Sequence, residues 1–262
     1  MKGLTNLVPM AGAGARFANA GYSLPKPLIP VDGTPMILRA IESMPKADRW
    51  IFICRSEHVS KYGLDKVLKG TIPNAEIITV DKLTEGQAST CLLARDLLEQ
   101  DDCKPLFIGA CDNAPVWNRK KFLELVADKK KNSDAIAFTF THDERLTENP
   151  KSWGWVETDC VSGSGSRVQG GSIKKVSVKV PISPNPFNDH AIVGSFYFKS
   201  ARVFLDAADR MIRLNHRVNN EFYVDQCMNE VVESGRKAHI FDVDKFVCWG
   251  TPEELEGYEH ER

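Results

Sequence analysis

Short apolar runs alternate with stretches of helical periodicity through the first half of the chain. The runs have the length and composition of buried strands, and they predict strands over residues 4–9, 50–54, 75–80 and 105–110. Apolar residues between them recur at helical spacing, which predicts helices near residues 36–44, 59–68, 87–98 and 120–129. Thr34 and Pro35 suit the N-cap and first position of the first helix. Such alternation is typical of an α/β fold with a parallel sheet covered on both faces.

The pattern changes after Asp134. Strands are predicted without long helices between them, over residues 135–141, 153–157, 173–180 and 191–198. Helices near residues 201–214 and 220–234, a strand at 238–243 and a helix from Thr251 complete the chain. A glycine- and serine-rich insert at 161–171 is predicted to be a flexible hairpin tip or lid. No repeat or linker is visible, so we expect a single domain, 1–262, with halves of about 1–133 and 134–262.

The loops that follow parallel strands should lie together at one edge of the sheet, because right-handed crossovers return each strand in the same direction. Open α/β sheets bind their ligands at this edge. Residues 12–16, residues 85–88 and Asp112 each follow a predicted strand. We therefore expect these three segments to form one site.

The first of these segments, from Gly12 to Arg16, contains small residues and ends on an arginine. It is not a dinucleotide fingerprint, because Phe17 replaces the third glycine, and it is not a P-loop, because Gly-Lys-Ser/Thr is missing. Small residues allow backbone N–H groups to approach phosphate oxygens, and a guanidinium can bind two such oxygens at once. The alternative is an ordinary glycine turn with a solvated arginine.

Ten residues further on, Lys26 lies between Pro25 and Pro27. Each proline fixes its own φ and restricts the residue before it, which predicts an extended, pre-ordered segment. A lysine fixed near a phosphate loop is suited to stabilising a transferring phosphoryl group. The alternative is a lysine that is simply solvated.

Asp112 follows the fourth apolar run, at the same predicted edge. A carboxylate there can hold Mg²⁺ against phosphate oxygens, since one or two carboxylates plus substrate are enough for this ion. The alternative is an Asx-turn residue with Asn113 as its neighbour.

Together these segments resemble the sugar-phosphate nucleotidylyltransferases, also called nucleotide-sugar pyrophosphorylases. That family has a G-x-G-T-R loop followed by P-K-P-[ML]-[ILV], and this chain has Pro9-Met-Ala-Gly-Ala-Gly-Ala-Arg-Phe17 and Pro25-Lys-Pro-Leu-Ile29. The resemblance implies a nucleotide-diphospho-sugar transferase fold, which is a Rossmann-like, mixed, mostly parallel central sheet flanked by helices. It also implies an NTP-binding half at about 1–133 and an acceptor-phosphate half at about 134–262.

Further segments carry the resemblance along the chain. Glu85-Gly-Gln-Ala88 stands at the family's nucleobase turn, and Gly250-Thr-Pro-Glu253 matches its G-T-P-E segment. The implied nucleotide-binding residues are Met10, Ala11, Gly12, Ala13, Gly14, Ala15, Glu85, Gly86, Gln87 and Ala88. The implied acceptor-binding residues, from the Tyr-Gly-Val-Val, E-K-P, Gly-x-Tyr and Glu-x-x-x-Asp segments, are Gly154, Lys179, Gly194 and Glu221.

Three departures from the family pattern concern the site. Ala11 replaces a glycine of the loop, and Val178 replaces the glutamate of E-K-P. Cys248 stands where the family often has a second metal-binding aspartate. Candidates to compensate are Asp225, Asp242 and Asp244. On the resemblance, Asp112 and Asp225 are the predicted metal ligands, with Mg²⁺ as the cofactor.

The resemblance implies a specific reaction. The phosphate of a small acceptor attacks the α-phosphorus of an NTP, and pyrophosphate leaves. Arg16 and Lys26 are the implied catalytic residues. Arg16 would bind the β- and γ-phosphates, Lys26 would stabilise charge at the α-phosphate, and Lys179 would bind the attacking phosphate. The acceptor is a sugar 1-phosphate or a non-sugar phosphomonoester of the choline-phosphate type, whose cationic group Trp153 and Trp155 would suit. The alternative is that these two tryptophans belong to the core. The implied role is nucleotide-sugar synthesis for capsule or other cell-surface polysaccharides.

Two other classes stay open at the level of the sequence. A glycosyltransferase shares the sheet architecture, but it requires an Asp-x-Asp motif at the strand end, and residues 112–114 read Asp-Asn-Ala. A non-catalytic nucleotide-sensing subunit is compatible with Cys248 at the second metal position. Metal-dependent release of pyrophosphate would distinguish a nucleotidylyltransferase from a glycosyltransferase and from a sensing subunit.

Composition limits the partners. Lys and Arg number 34 against 35 Asp and Glu, which argues against a protein that coats nucleic acid or an acidic membrane. Seven cysteines without a CxxC spacing indicate a reducing compartment, and no stretch has membrane-spanning length, so we expect a cytoplasmic protein. The six scattered histidines are expected to be solvated or structural. A homo-oligomer is neither required nor excluded.

Overall fold

The computed structural model describes residues 1–160 and 168–260. Its strands are β1 (Thr5–Met10), β2 (Pro30–Val31), β3 (Thr34–Pro35), β4 (Arg49–Arg55), β5 (Glu76–Val80), β6 (Leu106–Ile108), β7 (Ala135–Phe140), β8 (Gly154–Thr158), β9 (Gln169–Val178), β10 (His190–Phe198) and β11 (Ala238–Asp242). Its α-helices are α1 (Ala15–Asn19), α2 (Met36–Ser43), α3 (Ser56–Tyr62), α4 (Leu64–Thr71), α5 (Gln87–Leu92), α6 (Arg95–Glu99), α7 (Arg119–Ala127), α8 (Arg145–Glu148), α9 (Ala201–Leu214), α10 (Val224–Glu233) and α11 (Pro252–His260).

Nine of the described strands form one sheet in the order β5-β4-β1-β6-β10-β7-β11-β9-β8. Strands β5, β4, β1 and β6 are parallel, and β7 and β11 are parallel to each other. Strand β10 runs antiparallel to β6, β7 and β8, and β9 runs antiparallel to β11 and β8. Only β9 and β10 oppose the other seven strands of this sheet, which confirms the predicted mixed, mostly parallel α/β fold.

Both faces of the sheet are buried. Along β1, Leu7 packs into the core on one face and Val8 into the core on the other. Strand β4 pairs with all of β1, from Thr5 to Met10, and β6 pairs with its first three residues on the other edge. Strand β1 is therefore held rigidly, and the loop at its carboxyl end begins from a fixed point.

Several predicted boundaries are wrong. The helix predicted over 59–68 is two helices separated at Gly63, whose φ of +65° ends α3, and the helix over 87–98 is interrupted at residues 93–94. Thr34 and Pro35 form strand β3 with β2, and α2 begins only at Met36. Helix α10 begins at Val224 instead of residue 220. The short helix α1 was not predicted at all.

The predicted lid at 161–171 is wrong in part. Its first seven positions, 161–167, lie outside the described residues. Gln169, Gly170 and Gly171 belong to strand β9, which pairs with β11. Asp242 fixes the start of this strand, because its Oδ2 accepts a hydrogen bond from the Val168 N–H at 2.8 Å.

Strand β10 joins the two halves of the chain. It pairs with β6 of the first half and β7 of the second, so both halves contribute to one continuous sheet. No helix within residues 1–160 and 168–260 is both long enough and apolar enough to cross a membrane.

Candidate active site

A cleft of about 720 Å³ lies at the carboxyl ends of β1, β4 and β6 and extends to β8, β10 and the start of α10. It collects most of the predicted site residues, as the sheet topology requires. Its lining includes Met10, Ala11, Gly12, Ala13, Gly14, Ala15, Arg16, Lys26, Gly86, Gln87, Asp112, Gly154, Lys179, Gly194, Glu221 and Asp225. The two predicted residues outside this lining are Glu85 and Ala88.

The loop after β1 has the open, small-residue surface expected from the sequence. Gly14 adopts φ +61° at the start of α1, a conformation that favours glycine. A Cβ on Gly12 would meet nothing within 4 Å, so packing within the protein does not require glycine there. Arg16 is exposed, and no hydrogen bond or ion pair engages its guanidinium in the described part of the chain. It is free to bind an anion in the cleft.

Lys26 is not in an extended segment, contrary to the prediction. Pro25 is extended, but Lys26, Pro27 and Leu28 form one 3₁₀ turn, in which the Leu28 N–H donates to the Pro25 carbonyl at 2.8 Å. Proline is tolerated in a first helical turn because the N–H it lacks would have no intrahelical acceptor there. The prolines therefore still fix the lysine, through a turn.

The Lys26 ammonium reaches the Asp112 carboxylate across 86 residues of sequence. The Nζ–Oδ2 distance is 2.6 Å, and the same Nζ donates to the Gly250 carbonyl at 2.8 Å. Only 16% of the Lys26 side chain is exposed. Burial alone would lower the pKa of Lys26, but the Asp112 carboxylate outweighs it with smaller help from Cys111, and the pKa is raised. The ammonium is therefore a permanent positive charge in the cleft.

Cys248 lies beside Asp112. It forms an isolated antiparallel bridge with Asn113, and its thiol donates a hydrogen bond to Glu254 Oε2 at 3.4 Å. Glu254 also accepts the Thr251 N–H at 2.9 Å and so caps helix α11. Burial, with Asp112 and Glu254 adding to it, raises the pKa of the Cys248 thiol. The thiol is neutral and is a poor ligand for Mg²⁺.

Three aspartates, Asp225, Asp242 and Asp244, were candidates to replace the metal ligand missing at Cys248, and of these Asp225 lines the cleft. Asp242 is buried and accepts hydrogen bonds from Thr139 and Val168, with His190 Nδ1 at 2.9 Å. Asp244 is absent from the cleft lining. The carboxylates that line the cleft are therefore those of Asp112, Glu221 and Asp225.

Asp112 fits a magnesium site that the substrate completes. Residues 1–160 and 168–260 contain no group of three or more His, Cys, Asp or Glu side chains that could hold a metal ion. Mg²⁺ commonly uses one or two carboxylates together with substrate phosphates, and Asp112 is a carboxylate with 29% of its side chain exposed. Hard oxygen donors from a bound triphosphate would supply the remaining ligands.

The nucleobase turn predicted at 85–88 is bound to the second half of the chain. The Phe222 N–H donates to the Glu85 carbonyl at 2.7 Å, and the Ala88 N–H donates to the Phe222 carbonyl at 2.9 Å. The Glu85 carboxylate pairs with Arg217 at 3.0 and 3.1 Å. Glu85 and Ala88 thus connect the loop to residues 217–222, while Gly86 and Gln87 line the cleft.

The hydrogen bonds between the 85–88 loop and Phe222 require glycine at position 86. Its φ is +107°, and a Cβ there would lie 2.7 Å from both the backbone nitrogen and the carbonyl oxygen of Phe222. Real Cβ atoms do not approach backbone atoms so closely. A side chain at this position would push the loop away from Phe222.

Gly154, Lys179 and Asp225, the residues predicted for the acceptor and for the second metal position, line the same cleft. A Cβ on Gly154 would lie 2.1 Å from Asp225 Oδ2, so only glycine leaves room for this carboxylate. Burial raises the pKa of Asp225 to about 6, although the Lys179 charge opposes the rise. Burial likewise lowers the pKa of Lys179, with Asp225 opposing the fall and Arg16 adding to it. The three charged groups thus influence one another inside one cleft.

The backbone around Lys179 is unusual. Lys179 has φ +66°, its N–H donates to the Trp153 carbonyl at 2.9 Å, and its ammonium donates to the Ser152 carbonyl. Val178, at the position of the family's glutamate, is buried in the core. The Lys179 ammonium therefore lies in the cleft although the family's glutamate is replaced by Val178.

The two tryptophans that would suit a cationic acceptor lie in different environments. Trp153 lines the cleft and packs against Phe140 and Phe246. Trp155 is fully buried, and its Nε1 donates to the Pro150 carbonyl at 2.9 Å. Of the two alternatives that the sequence left open for Trp155, the core position is the one observed, because the alternation along β8 turns this side chain into the core.

Sequence reasoning missed several residues that line the cleft, among them His58, Leu83, Thr84, Tyr223 and Phe246. The position of His58 offered a signal, since it stands three residues after Arg55, the last residue of strand β4. Tyr223 and Phe246 gave no such signal, because they are far in sequence from the loop after β1 and only the fold brings them into the cleft.

The fold is that of nucleotidyltransferase-type α/β enzymes. A nucleoside-diphosphate-sugar pyrophosphorylase from Vibrio cholerae RC9 matches with a TM-score of 0.75 at 19% identity, over 97% of this chain and 99% of that one. An inositol-1-phosphate CTP transferase from T. maritima matches at 0.69 and 14%, over 97% and 93%. A UDP-glucose pyrophosphorylase complexed with UDP-glucose matches at 0.69 and 18%, over 98% and 99%.

The family model described as nucleotidyl transferase matches residues 6–249. The chain therefore belongs to the nucleotidyl transferase family, and the protein is a nucleotidyltransferase. The resemblance inferred from the loop after β1 and the segment around Lys26 is confirmed. A search of curated proteins gives no significant match.

Proposed function

We propose that this enzyme transfers the nucleoside monophosphate of an NTP to the phosphate of a small acceptor and releases pyrophosphate. The acceptor is a sugar 1-phosphate or a similar phosphomonoester. The observation that carries the proposal is the presence of Arg16, Lys26 and Lys179 in one cleft beside the carboxylate of Asp112. Three cations supply charge for the triphosphate and for the acceptor phosphate.

In this reaction an oxygen of the acceptor phosphate forms a bond to the α-phosphorus of the NTP. The bond from the α-phosphorus to the bridging oxygen of the β-phosphate breaks, and pyrophosphate keeps its electron pair. No general base is required, because the attacking phosphate is already an anion. The protein then contributes positioning and electrostatic stabilisation.

We assign each charged residue one role in that scheme. Arg16, whose guanidinium has no bonded partner among the described residues, binds the β- and γ-phosphates that leave as pyrophosphate. Lys26 stabilises the charge that develops on the α-phosphate, and Lys179 holds the attacking phosphate. The backbone from Met10 to Ala15, with Gly86 and Gln87, contacts the nucleotide, while Gly154, Gly194 and Glu221 surround the acceptor.

Asp112 is the residue that would hold Mg²⁺ on the triphosphate. The bound ion would neutralise phosphate charge and would fix the geometry of the leaving group. The same carboxylate pairs with the Lys26 ammonium and so orients the lysine beside the position proposed for the ion. The seven free thiols suit a reducing compartment, which supports a cytoplasmic location.

Pyrophosphate release tests the proposal. The protein is incubated with Mg²⁺, each common NTP or dTTP, and a panel of sugar 1-phosphates and non-sugar phosphomonoesters that includes choline phosphate. We expect release with one NTP–acceptor pair and loss of release with EDTA. Nucleotide binding without release from any pair would support a sensing subunit, and absence of nucleotide binding would contradict the proposed role of the cleft.

A substitution of Asp225 separates its two candidate roles. The Asp225 carboxylate is an opposite charge that acts on Lys179 inside the cleft, and it lies against Gly154. We expect Asp225→Asn to raise the KM of the acceptor about tenfold, because Lys179 loses this opposite charge. The Mg²⁺ concentration for half-maximal rate should not change. A several-fold rise in that concentration would instead support Asp225 as the second metal ligand.

The pKa of Asp225 gives this test a pH dependence. Because its pKa is raised to about 6, the carboxylate is protonated below that pH and ionised above it. The wild-type KM for the acceptor should therefore rise as the pH falls from 7.5 to 5. The acceptor phosphate also titrates at about pH 6. The effect of Asp225 is therefore the difference between the wild-type and Asp225→Asn curves of acceptor KM against pH. Parallel profiles would contradict a role for the ionised carboxylate.

A further inference from the structure

His58 is a buried polar residue that lines the cleft. Only 9% of its surface is exposed, and its Nδ1 is buried without a hydrogen bond. No hydrogen bond or ion pair engages the ring anywhere in residues 1–160 and 168–260. A buried polar atom without a partner costs free energy, so the position calls for a function.

The other buried histidines are fixed by the protein. His239 Nδ1 bonds to Ser133 Oγ at 2.8 Å, and His190 Nδ1 lies 2.9 Å from Asp242 Oδ1. Neither of these two residues lines the cleft, whereas His58 does. His190 Nε2 is also buried without a bond, but it lies away from the cleft. Among the buried histidines, His58 is therefore the one that lines the cleft and has no ring nitrogen bonded to a described residue.

The sheet register places His58 at the nucleoside end of the cleft. At the end of β4, Cys54 is paired with Met10 of β1, and Arg55 is paired with Val80 of β5. His58 follows directly in the first turn of α3, between the loop after β1 and the loop 81–86 after β5. Asp112 follows β6, which lies on the opposite side of β1.

This order divides the cleft. The phosphate-binding charges of Lys26 and Asp112 lie on the β6 side of β1, and the acceptor residues lie further along, at β8 and β10. What remains on the β4 side is the wall formed by His58, Leu83 and Thr84. Leu83 has 58% of its surface exposed, and it offers an apolar face against which a planar base can lie.

We propose that His58 hydrogen-bonds the edge of the nucleobase and contributes to the choice of NTP, an inference that rests on the proposed nucleotidyl transfer. A neutral imidazole can donate to a base carbonyl or accept from an exocyclic amine, according to its tautomer. A site built to bond one pattern of donors and acceptors rejects a base that presents another.

The electrostatics agree with a base contact and disagree with a phosphate contact. Burial lowers the pKa of His58, the charge of Arg55 lowers it further, and Glu57 opposes both only in part. The ring is therefore neutral at pH 7.5, and it brings no positive charge to a triphosphate. A neutral donor or acceptor is suited to a neutral base edge.

Equilibrium binding of nucleotides, without acceptor, tests this role. For His58→Leu we expect the Kd of the preferred NTP to rise at least tenfold, while the Kd of inorganic tripolyphosphate changes less than twofold. His58→Gln or His58→Asn, which keep a hydrogen-bonding group, should recover part of the affinity and should change the ratio of the CTP and UTP affinities. Lys61→Leu, on the same helix but away from the cleft, should bind like the wild type.

Three outcomes would overturn the inference. One is an unchanged NTP affinity in His58→Leu, confirmed as folded by circular dichroism. Another is an equal loss for NTP and tripolyphosphate, which would indicate a phosphate contact or a general disturbance of the cleft. If wild-type protein binds no NTP at all, the proposed function fails first, and the role of His58 fails with it.

Discussion

Replacement of Lys26 by alanine should lower kcat about 100- to 1,000-fold, the loss typical of removing one electrostatic contact to a transition state. The lysine is fixed by a 3₁₀ turn between two prolines and by bonds of 2.6 Å to Asp112 and 2.8 Å to the Gly250 carbonyl. Its charge is thus pre-positioned, and no reorganisation is required when charge develops on the α-phosphate. The KM of the NTP should change much less than kcat.

Steady-state kinetics with both substrates varied provide the measurement. Lys199→Ala is the matched control, because this lysine is exposed and, among the described residues, its ammonium bonds only to Asn132 Oδ1. It should retain wild-type activity. An unchanged kcat in Lys26→Ala would remove Lys26 from the reaction and would leave the ion pair with Asp112 as a structural contact only.

Gly86→Ala should destabilise the protein and damage both ends of the cleft. The φ of +107° is unfavourable for alanine, and the new Cβ would lie 2.7 Å from two backbone atoms of Phe222. We expect a loss of about 2–4 kcal/mol in the free energy of unfolding, which corresponds to a fall in Tm of about 5–15 °C for a chain of this size.

The same substitution should raise the KM of the NTP and of the acceptor together. The Phe222 backbone bonds to Glu85 and Ala88 on one side, and its neighbours Glu221 and Tyr223 line the cleft on the other. Displacement of the loop therefore moves both sets of contacts.

Gly70→Ala is the control for Gly86→Ala. Gly70 lies within α4, where a Cβ meets nothing within 4 Å, so alanine should be neutral or slightly stabilising. Thermal unfolding of the three proteins, followed by kinetics on those that fold, makes the comparison. A Gly86→Ala protein with wild-type Tm and kinetics would show that the loop is not held against Phe222 as described.

The sequence predicted what depends on local pattern and on general rules of topology. The apolar run at β1 and the small residues after it indicated the strand and its loop, and the rule for parallel strands correctly brought Arg16, Gly86 and Asp112 to one cleft. The departure at Cys248 also proved informative, because the structure places this residue beside Asp112.

What the sequence could not predict depends on contacts between distant segments. Nothing in the spacing of Lys26 and Asp112 indicates that their side chains bond, and the tie between Glu85 and Arg217 crosses 132 residues. The sequence left open whether Trp155 lines the cleft or belongs to the core, because the side of strand β8 on which it lies is fixed by pairing with β9 and β10. His58 was expected to be solvated or structural, because only the three-dimensional surroundings show that no described residue bonds to its ring.

The central claim is attack on the α-phosphorus, and the fate of labelled phosphates tests it most directly. The active NTP is supplied once with an α-phosphate label and once with a γ-phosphate label, together with Mg²⁺ and the acceptor. We expect the α-label in the nucleotide–acceptor conjugate and the γ-label in pyrophosphate. Transfer of the γ-label to the acceptor, or release of the γ-label as orthophosphate alone, would contradict the account.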